Sequence, residues 1–262
     1  MSIFPPHGPL PPGSTAVPAA TVIVFRNCPG GGPPELLMLQ RSMEMRFAGG
    51  AAVFPGGRVD PEDRALASRI APDEDQEMAS ARIAAIRETL EEAGLVIATN
   101  QPVSAAEAAD ARALLLEKSA LDPVLETFGW TLDLSQLTFF AHWCPAFKKA
   151  FDTRFFIADL GTGAVDVTVD ATENMRLFWA SAKRALELND AGEIKTIFPT
   201  RRTLERLALC GSFEAACENA LRFPARRITP VFEVREGEHW TRIPEGLGYP
   251  ILEEKVDPTL HD

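Results

Sequence analysis

Residues 83–95 read Ile-Ala-Ala-Ile-Arg-Glu-Thr-Leu-Glu-Glu-Ala-Gly-Leu, and this run constrains the chain more than any other. A helix turns about 100° per residue, so Ile83, Ile86, Leu90 and Ala93 fall on one stripe, which predicts a buried face. Glu88, Glu91 and Glu92, related by i, i+3 and i+4, gather on the opposite side within one turn. Like charges at this spacing oppose one another by about 0.2–0.5 kcal/mol per pair. A divalent cation such as Mg²⁺ or Mn²⁺ reverses that sign, because hard ions take carboxylate oxygens and keep positions open for water and phosphate. Arg87 borders the acidic face, where it can hold one carboxylate through a two-pronged hydrogen bond. Gly94 suits the left-handed position that ends a helix.

An isolated cluster of three glutamates is more often a solvated face than a site. Here a turn precedes it, Phe54-Pro55-Gly56-Gly57, in which two residues without Cβ let the backbone approach a ligand closely. Asp60, Glu62 and Asp63 add carboxylates between the two.

In that order of parts the sequence resembles the Nudix hydrolases, whose signature is Gly, five residues, Glu, seven residues, then Arg-Glu-apolar-x-Glu-Glu-x-Gly-apolar. The second half matches from Arg87 to Leu95, with Thr89 at the first apolar position. Five residues on from Gly57 stands Asp63 instead of Glu, and twenty-three residues instead of seven then precede Arg87, an insertion of sixteen. Counting from Gly56 puts Glu62 at that place instead. An expanded box of this kind looks like the branch containing the animal peroxisomal coenzyme A diphosphatases, as do segments 36–42, 53–57, 151–156 and 173–179. The likeness covers roughly residues 16–210.

The resemblance implies a Nudix fold of α/β (α+β) type, a mixed β-sheet sandwiched between helices with helical insertions. It implies an enzyme that hydrolyses a phosphoanhydride with Mg²⁺ or Mn²⁺ held by Glu88, Glu91 and Glu92. Such an ion lowers the pKa of a bound water and neutralises charge developing on phosphate oxygens. Arg87 would orient Glu91, and Gly56 and Gly57 would shape the turn against the diphosphate. The general base is Glu88 or, since the family often uses a later carboxylate, Glu173. Arg41, at the end of a strand, and Lys148, beside Lys149 on a connection, are candidates for substrate phosphates. The branch points to coenzyme A or acyl-coenzyme A, cut to 3′,5′-ADP and 4′-phosphopantetheine. The family's coenzyme A motif is matched only at Arg41 and Phe54-Pro55-Gly56-Gly57-x-x-Asp60. ADP-ribose, NADH or another nucleotide are alternatives within the same chemistry, and a nucleotide-sensing module without turnover is an alternative of another class. A homodimer is a family expectation.

Composition narrows the partners. A net charge of −11 argues against nucleic acid held on a basic surface. The four cysteines, Cys28, Cys144, Cys210 and Cys217, form no C-x-x-C pair, and the four histidines are scattered, which fits a reducing cytoplasm. No apolar run reaches the eighteen or so residues that span a bilayer. The N-terminus shows no secretory pattern, and Thr259-Leu260-His261-Asp262 is not a peroxisomal address.

Three parts are expected: an extended Pro/Gly-rich segment at 1–15, a hydrolase domain at 16–210 with insertions near 64–75 and 101–130, and a C-terminal extension at 211–262 packed on the same domain. Strands are expected at 16–26, 36–40, 51–54, 95–98, 137–143, 153–160 and 177–179, and in 226–234 and from 240 onward. Pro72 should end a first inserted helix, pictured as a surface arm, before the acidic helix starts near 73–76. Ser104 and Glu107 form the start signal of a helix over 104–120, and further helices are expected at 181–188, 200–210 and 213–221. In the helix at 200–210, Leu204, Leu207 and Ala208 form the apolar stripe, with Arg201, Arg202 and Arg206 outside it.

Overall fold

The computed structural model describes residues 15–28, 30–40, 50–146, 149–160 and 176–256. The described residues open with β1 (Thr15–Arg26), an apolar run that supplies the centre of the sheet. Its edges are shared among several partners. Along one, Phe25 and Arg26 pair antiparallel with β2 (Glu35–Gln40), while Ala19, Ala20 and Thr21 pair with β4 (Gly56–Arg58). Along the other, β1 runs parallel to β6 (Lys149–Asp159) from Thr15↔Lys149 to Phe25↔Asp159. β3 (Ala52–Val53) and β7 (Arg176–Ala180) pair with β2, and β5 (Thr138–Trp143) joins β6 to the short β8 (Arg227–Ile228). The result is a mixed sheet, as expected.

Residues alternate across a strand, so both faces of the apolar β1 must be covered. Val22, Val24 and Leu37 face one way and join Ile83, Ile86 and Leu90 in a core beneath the long helix α2 (Gln76–Ala93). α1 (Pro61–Ile70), α3 (Ala105–Lys118) and α4 (Asp122–Phe128) complete this layer, contributing Leu66, Ala67, Ala111, Leu115 and Val124. Ile23, Phe25, Leu36 and Met38 face the other way, onto α5 (Ala182–Asp190), α6 (Phe198–Leu207) and α7 (Phe213–Arg222). The C-terminal residues close this second core with Ile228, Ile243, Leu247 and Tyr249, and β9 (Val231–Arg235), β10 (Glu238–Arg242) and β11 (Glu253–Lys255) form a separate small sheet. Among the described residues, no helix is long and apolar enough to cross a membrane.

The helix boundaries follow the local chemistry. Asp75 accepts from Met78 N–H at 2.8 Å to start α2, and Gly94, at φ +67°, ends it with its N–H on Leu90 O. Ser104 and Glu107 satisfy each other's backbone N–H groups at the start of α3.

Three expectations differ from the structure. Residues 95–98 form no strand, because Leu95 and Ile97 turn into the core and Ala98 adopts φ +58°. Thr99 makes only a single bridge, to Leu132. The first insertion is not a surface arm, since Leu66 and Ala67 of α1 lie fully in the α2 core. Arg202 and Arg206 do not lie outside the packed face of α6; both are about 1% exposed. The second core takes in Leu204 and Leu207 of the expected stripe but not Ala208, which is exposed at the end of α6, and the two guanidiniums find partners inside it. Arg206 donates to Phe140 O at 2.9 Å and Asn219 Oδ1 at 2.8 Å, and Arg202 to Glu205 at 2.9 Å and Glu254 at 2.7 Å.

Candidate active site

β4 delivers the Gly-Gly turn to the acidic end of α2 by pairing with β1. Pro55 O accepts from Val22 N–H at 3.0 Å and from Thr21 Oγ1 at 2.5 Å, which fixes the turn against the sheet. The glycines are there for contact distance. A Cβ on Gly57 would stand 2.2 Å from Glu88 Oε1, and one on Gly56 2.4 Å from Ala20 O. In the space this leaves, Gly56 N–H donates to Glu92 Oε2 at 2.9 Å. Gly56, Gly57, Glu88 and Glu92 are thus brought together, although roughly thirty residues separate turn from helix.

Arg87 is the centre of the charge arrangement. Its Nε and Nη2 hold Asp63 at 3.0 Å each, the two-pronged geometry expected of it but on a different carboxylate. Nη1 reaches Glu88 at 2.9 Å and Glu91 at 3.4 Å, and Nη2 also donates to Arg58 O at 2.9 Å and stands 3.3 Å from Asp60. Asp63 is buried and Glu62 exposed, so Asp63 is the acid of the first half of the box that meets Arg87. Asp63 also accepts from Asp60 N–H at 2.9 Å at the start of α1. The pattern Asp60-Pro61-Glu62-Asp63, an acid three residues after a cap with proline between, is the signal from which this could have been read.

Burial alone would weaken the charge on Arg87, but Asp63, Glu88 and Asp60 hold its guanidinium above its ordinary pKa. Burial pushes the Glu88 carboxyl above its ordinary value; Arg87 offsets this and Glu91 adds to it. Among the described residues, one guanidinium therefore serves four carboxylates, Asp60, Asp63, Glu88 and Glu91, which leaves an excess of acid there. That excess suits a divalent cation. Among the described residues, no three acids, histidines or cysteines form a ready-made metal group, and the reason is visible: Glu88 is turned to Arg87 and Glu92 to Gly56 N–H.

Arg41, Lys148 and Glu173 lie outside the described residues. Sequence reasoning missed a second polar cluster on the sheet. His142 Nε2 and Asp152 Oδ1 are 2.5 Å apart, Arg227 donates to Asp152 at 3.0 Å, and Arg154 reaches Glu77 on α2 at 3.2 Å. These residues come from four elements, so no local spacing announces them.

No family model and no curated protein matches the chain. A solved structure does: a NUDIX hydrolase from Alicyclobacillus acidocaldarius, 28% identical, covering 78% of this chain and 96% of that chain with a TM-score of 0.63. The fold is the Nudix fold. Other similar structures are a C. elegans Ap4A hydrolase binary complex, 20% identical over 74% of this chain and 96% of that chain at a TM-score of 0.40, and a mutT/nudix family protein from Listeria innocua, 20% identical over 79% and 98% at 0.38. The Nudix fold and the Arg87–Leu95 run together support an enzyme of the Nudix superfamily, a hydrolase.

Proposed function

We propose that this Nudix protein hydrolyses a diphosphate linkage in a nucleoside diphosphate derivative, with a divalent cation, Mg²⁺ or Mn²⁺, held by Glu88, Glu91 and Glu92. The observation that carries the reading is the Gly56-Gly57 turn seated directly on Glu88 and Glu92, beside four carboxylates that, among the described residues, share the Arg87 guanidinium. When bound, the ion supplies Lewis acidity toward phosphate oxygens and water. The chain's own residues do the rest. Gly56 and Gly57 keep side chains out of the path of the diphosphate. Arg87, tied to Asp63, holds Glu88 and Glu91 on the same side of the helix. Glu88, held by Arg87 beside the Gly56-Gly57 turn, is one candidate base for taking a proton from the attacking water. Glu173 is the alternative base, and Arg41 and Lys148 are assigned to phosphate groups of the substrate on the sequence alone.

The expanded box and the segments that accompany it favour coenzyme A or acyl-coenzyme A as substrate, giving 3′,5′-ADP and 4′-phosphopantetheine. The test is mass spectrometry of products after incubation with Mg²⁺ or Mn²⁺ and coenzyme A, acetyl-coenzyme A, ADP-ribose, NADH and nucleoside triphosphates. Release of 3′,5′-ADP from the coenzyme A samples alone supports the full reading. Cleavage of another member keeps the chemistry and removes the substrate. Binding without any cleavage overturns the enzyme in favour of a sensor.

A further inference from the structure

The last turn of α2 carries Glu91 and Glu92, and a helix's last carbonyls lack partners within it. Leu90 O is served by Gly94 N–H at 3.0 Å, and the last turn contains no basic residue to serve the next carbonyl, Glu91 O. The second insertion serves it instead: Arg112 of α3 donates from Nε to Glu91 O at 2.8 Å. The side chain is seated for this. Ala108, Ala111 and Leu115 bury the α3 face around it, and its Cδ stands 3.6 Å from where a Cβ on Gly94 would be, ordinary contact distance, so its stem lies against the end of α2. The neighbouring glutamate, Glu92, accepts from Gly56 N–H at 2.9 Å.

We propose that Arg112 is a positioning residue for the cation site: the inserted helix α3 holds the turn bearing Glu91 and Glu92 in helical form through Glu91 O. This rests on the reading that those glutamates hold the metal. It gives the insertion at 101–130 a role in the chemistry without contact with substrate. It also makes the two insertions a pair, since α1 sends Asp63 to Arg87 and α3 sends Arg112 to Glu91, and Arg69 of α1 is paired with Asp122 of α4.

The experiment is Mn²⁺ titration by calorimetry on the full chain, with hydrogen exchange followed along residues 76–98, for wild type, Arg112→Ala, Arg112→Lys and Glu91→Gln. Loss of a supporting bond behind metal ligands weakens affinity about 10–100-fold. Arg112→Ala is expected to weaken Mn²⁺ binding by that factor and to speed exchange at residues 94–95 while the middle of α2 keeps its protection. Arg112→Lys, which keeps a cationic donor, should recover much of both, and it serves as the folded comparison if Arg112→Ala does not fold. Wild-type Mn²⁺ affinity in Arg112→Ala, or equal acceleration of exchange along all of α2, overturns the proposal. If Glu91→Gln also binds Mn²⁺ normally, it is the metal assignment that fails; if Glu91→Gln loses the ion and Arg112→Ala keeps it, the role of Arg112 alone fails.

Discussion

Replacing Glu91 by glutamine preserves the size of a side chain that is 41% exposed and removes one charge from the acid cluster. The expected outcome is a fall in turnover of about 10²-fold or more, corresponding to the loss of several kcal/mol of charge stabilisation, with stability within about 0.5 kcal/mol of wild type. Parallel measurement of kcat and of a urea midpoint checks both halves. Gly57→Ala acts through space: its methyl would stand 2.2 Å from Glu88 Oε1, so the carboxylate must move. The atoms it meets are the far end of a flexible side chain, so stability should change little, but turnover should fall because Glu88 is displaced. A Gly57→Ala variant with wild-type kcat would show that Glu88 needs no fixed place. Cys144 is a residue-scale case of a different kind. Burial, reinforced by Asp152, pushes its thiol up to about 11, so at pH 8 a disulfide reagent should modify Cys28 in the native protein well before Cys144.

At the scale of elements, α1 and α2 are joined by the Asp63–Arg87 pair, with both side chains at most 5% exposed. Breaking a buried pair by removing one partner costs about 3–5 kcal/mol, because the other charge is left without compensation. Arg87→Met should therefore lower stability by that amount and also release Glu88 and Glu91, whereas Glu62→Gln, next to Asp63 on α1, should change little. Thermal unfolding of the two variants tests the assignment of Asp63 over Glu62 as the acid partner. The helices α1, α2 and α3 were legible in the sequence because their signals are local: Asp75, Ser104 and Gly94 stand at caps, and Pro72 lies just beyond the end of α1; α4, whose N-cap Leu121 makes no side-chain capping bond, was not expected. The strand expected at 95–98 failed for the converse reason. An apolar run satisfies both a strand and a buried connection, and only a neighbouring edge can turn it into a ladder.

For the molecule as a whole, pH dependence is set in part by the cluster that ties β5, β6 and β8 together. Burial works against the Asp152 carboxylate, but His142, Arg227 and Arg154 hold it below its ordinary pKa of 3.8. A carboxyl with a depressed folded-state pKa contributes stability above its unfolded value and loses it as the pH falls through the folded one. Asp152→Asn should accordingly cost about 1.5–3 kcal/mol at pH 7, the worth of hydrogen bonds to a charged group, and the difference should shrink below pH 3.8. Urea midpoints of both proteins from pH 7 to pH 3 would show it, and a constant difference across that range would remove Asp152 as the titrating group. The C-terminal residues bear on the same scale. The Tyr249 ring lies against the Arg206 guanidinium and Ile228 joins the same apolar cluster, so this segment completes the second core.

The sequence by itself determined the acidic helix, its buried stripe, the Gly-Gly turn and the chemistry these imply, because periodicity, capping and the need for missing side chains are written in neighbouring residues. Only the tertiary structure decided which groups meet. It placed Gly57 against Glu88, chose Asp63 over Glu62 for Arg87, brought Arg112 to Glu91 O and turned Arg202 and Arg206 inward. Each of these depends on strand register or on helices packing from distant parts of the chain. A side chain's partner across such a distance is fixed by burial and hydrogen-bond satisfaction in three dimensions, which spacing along the chain does not carry.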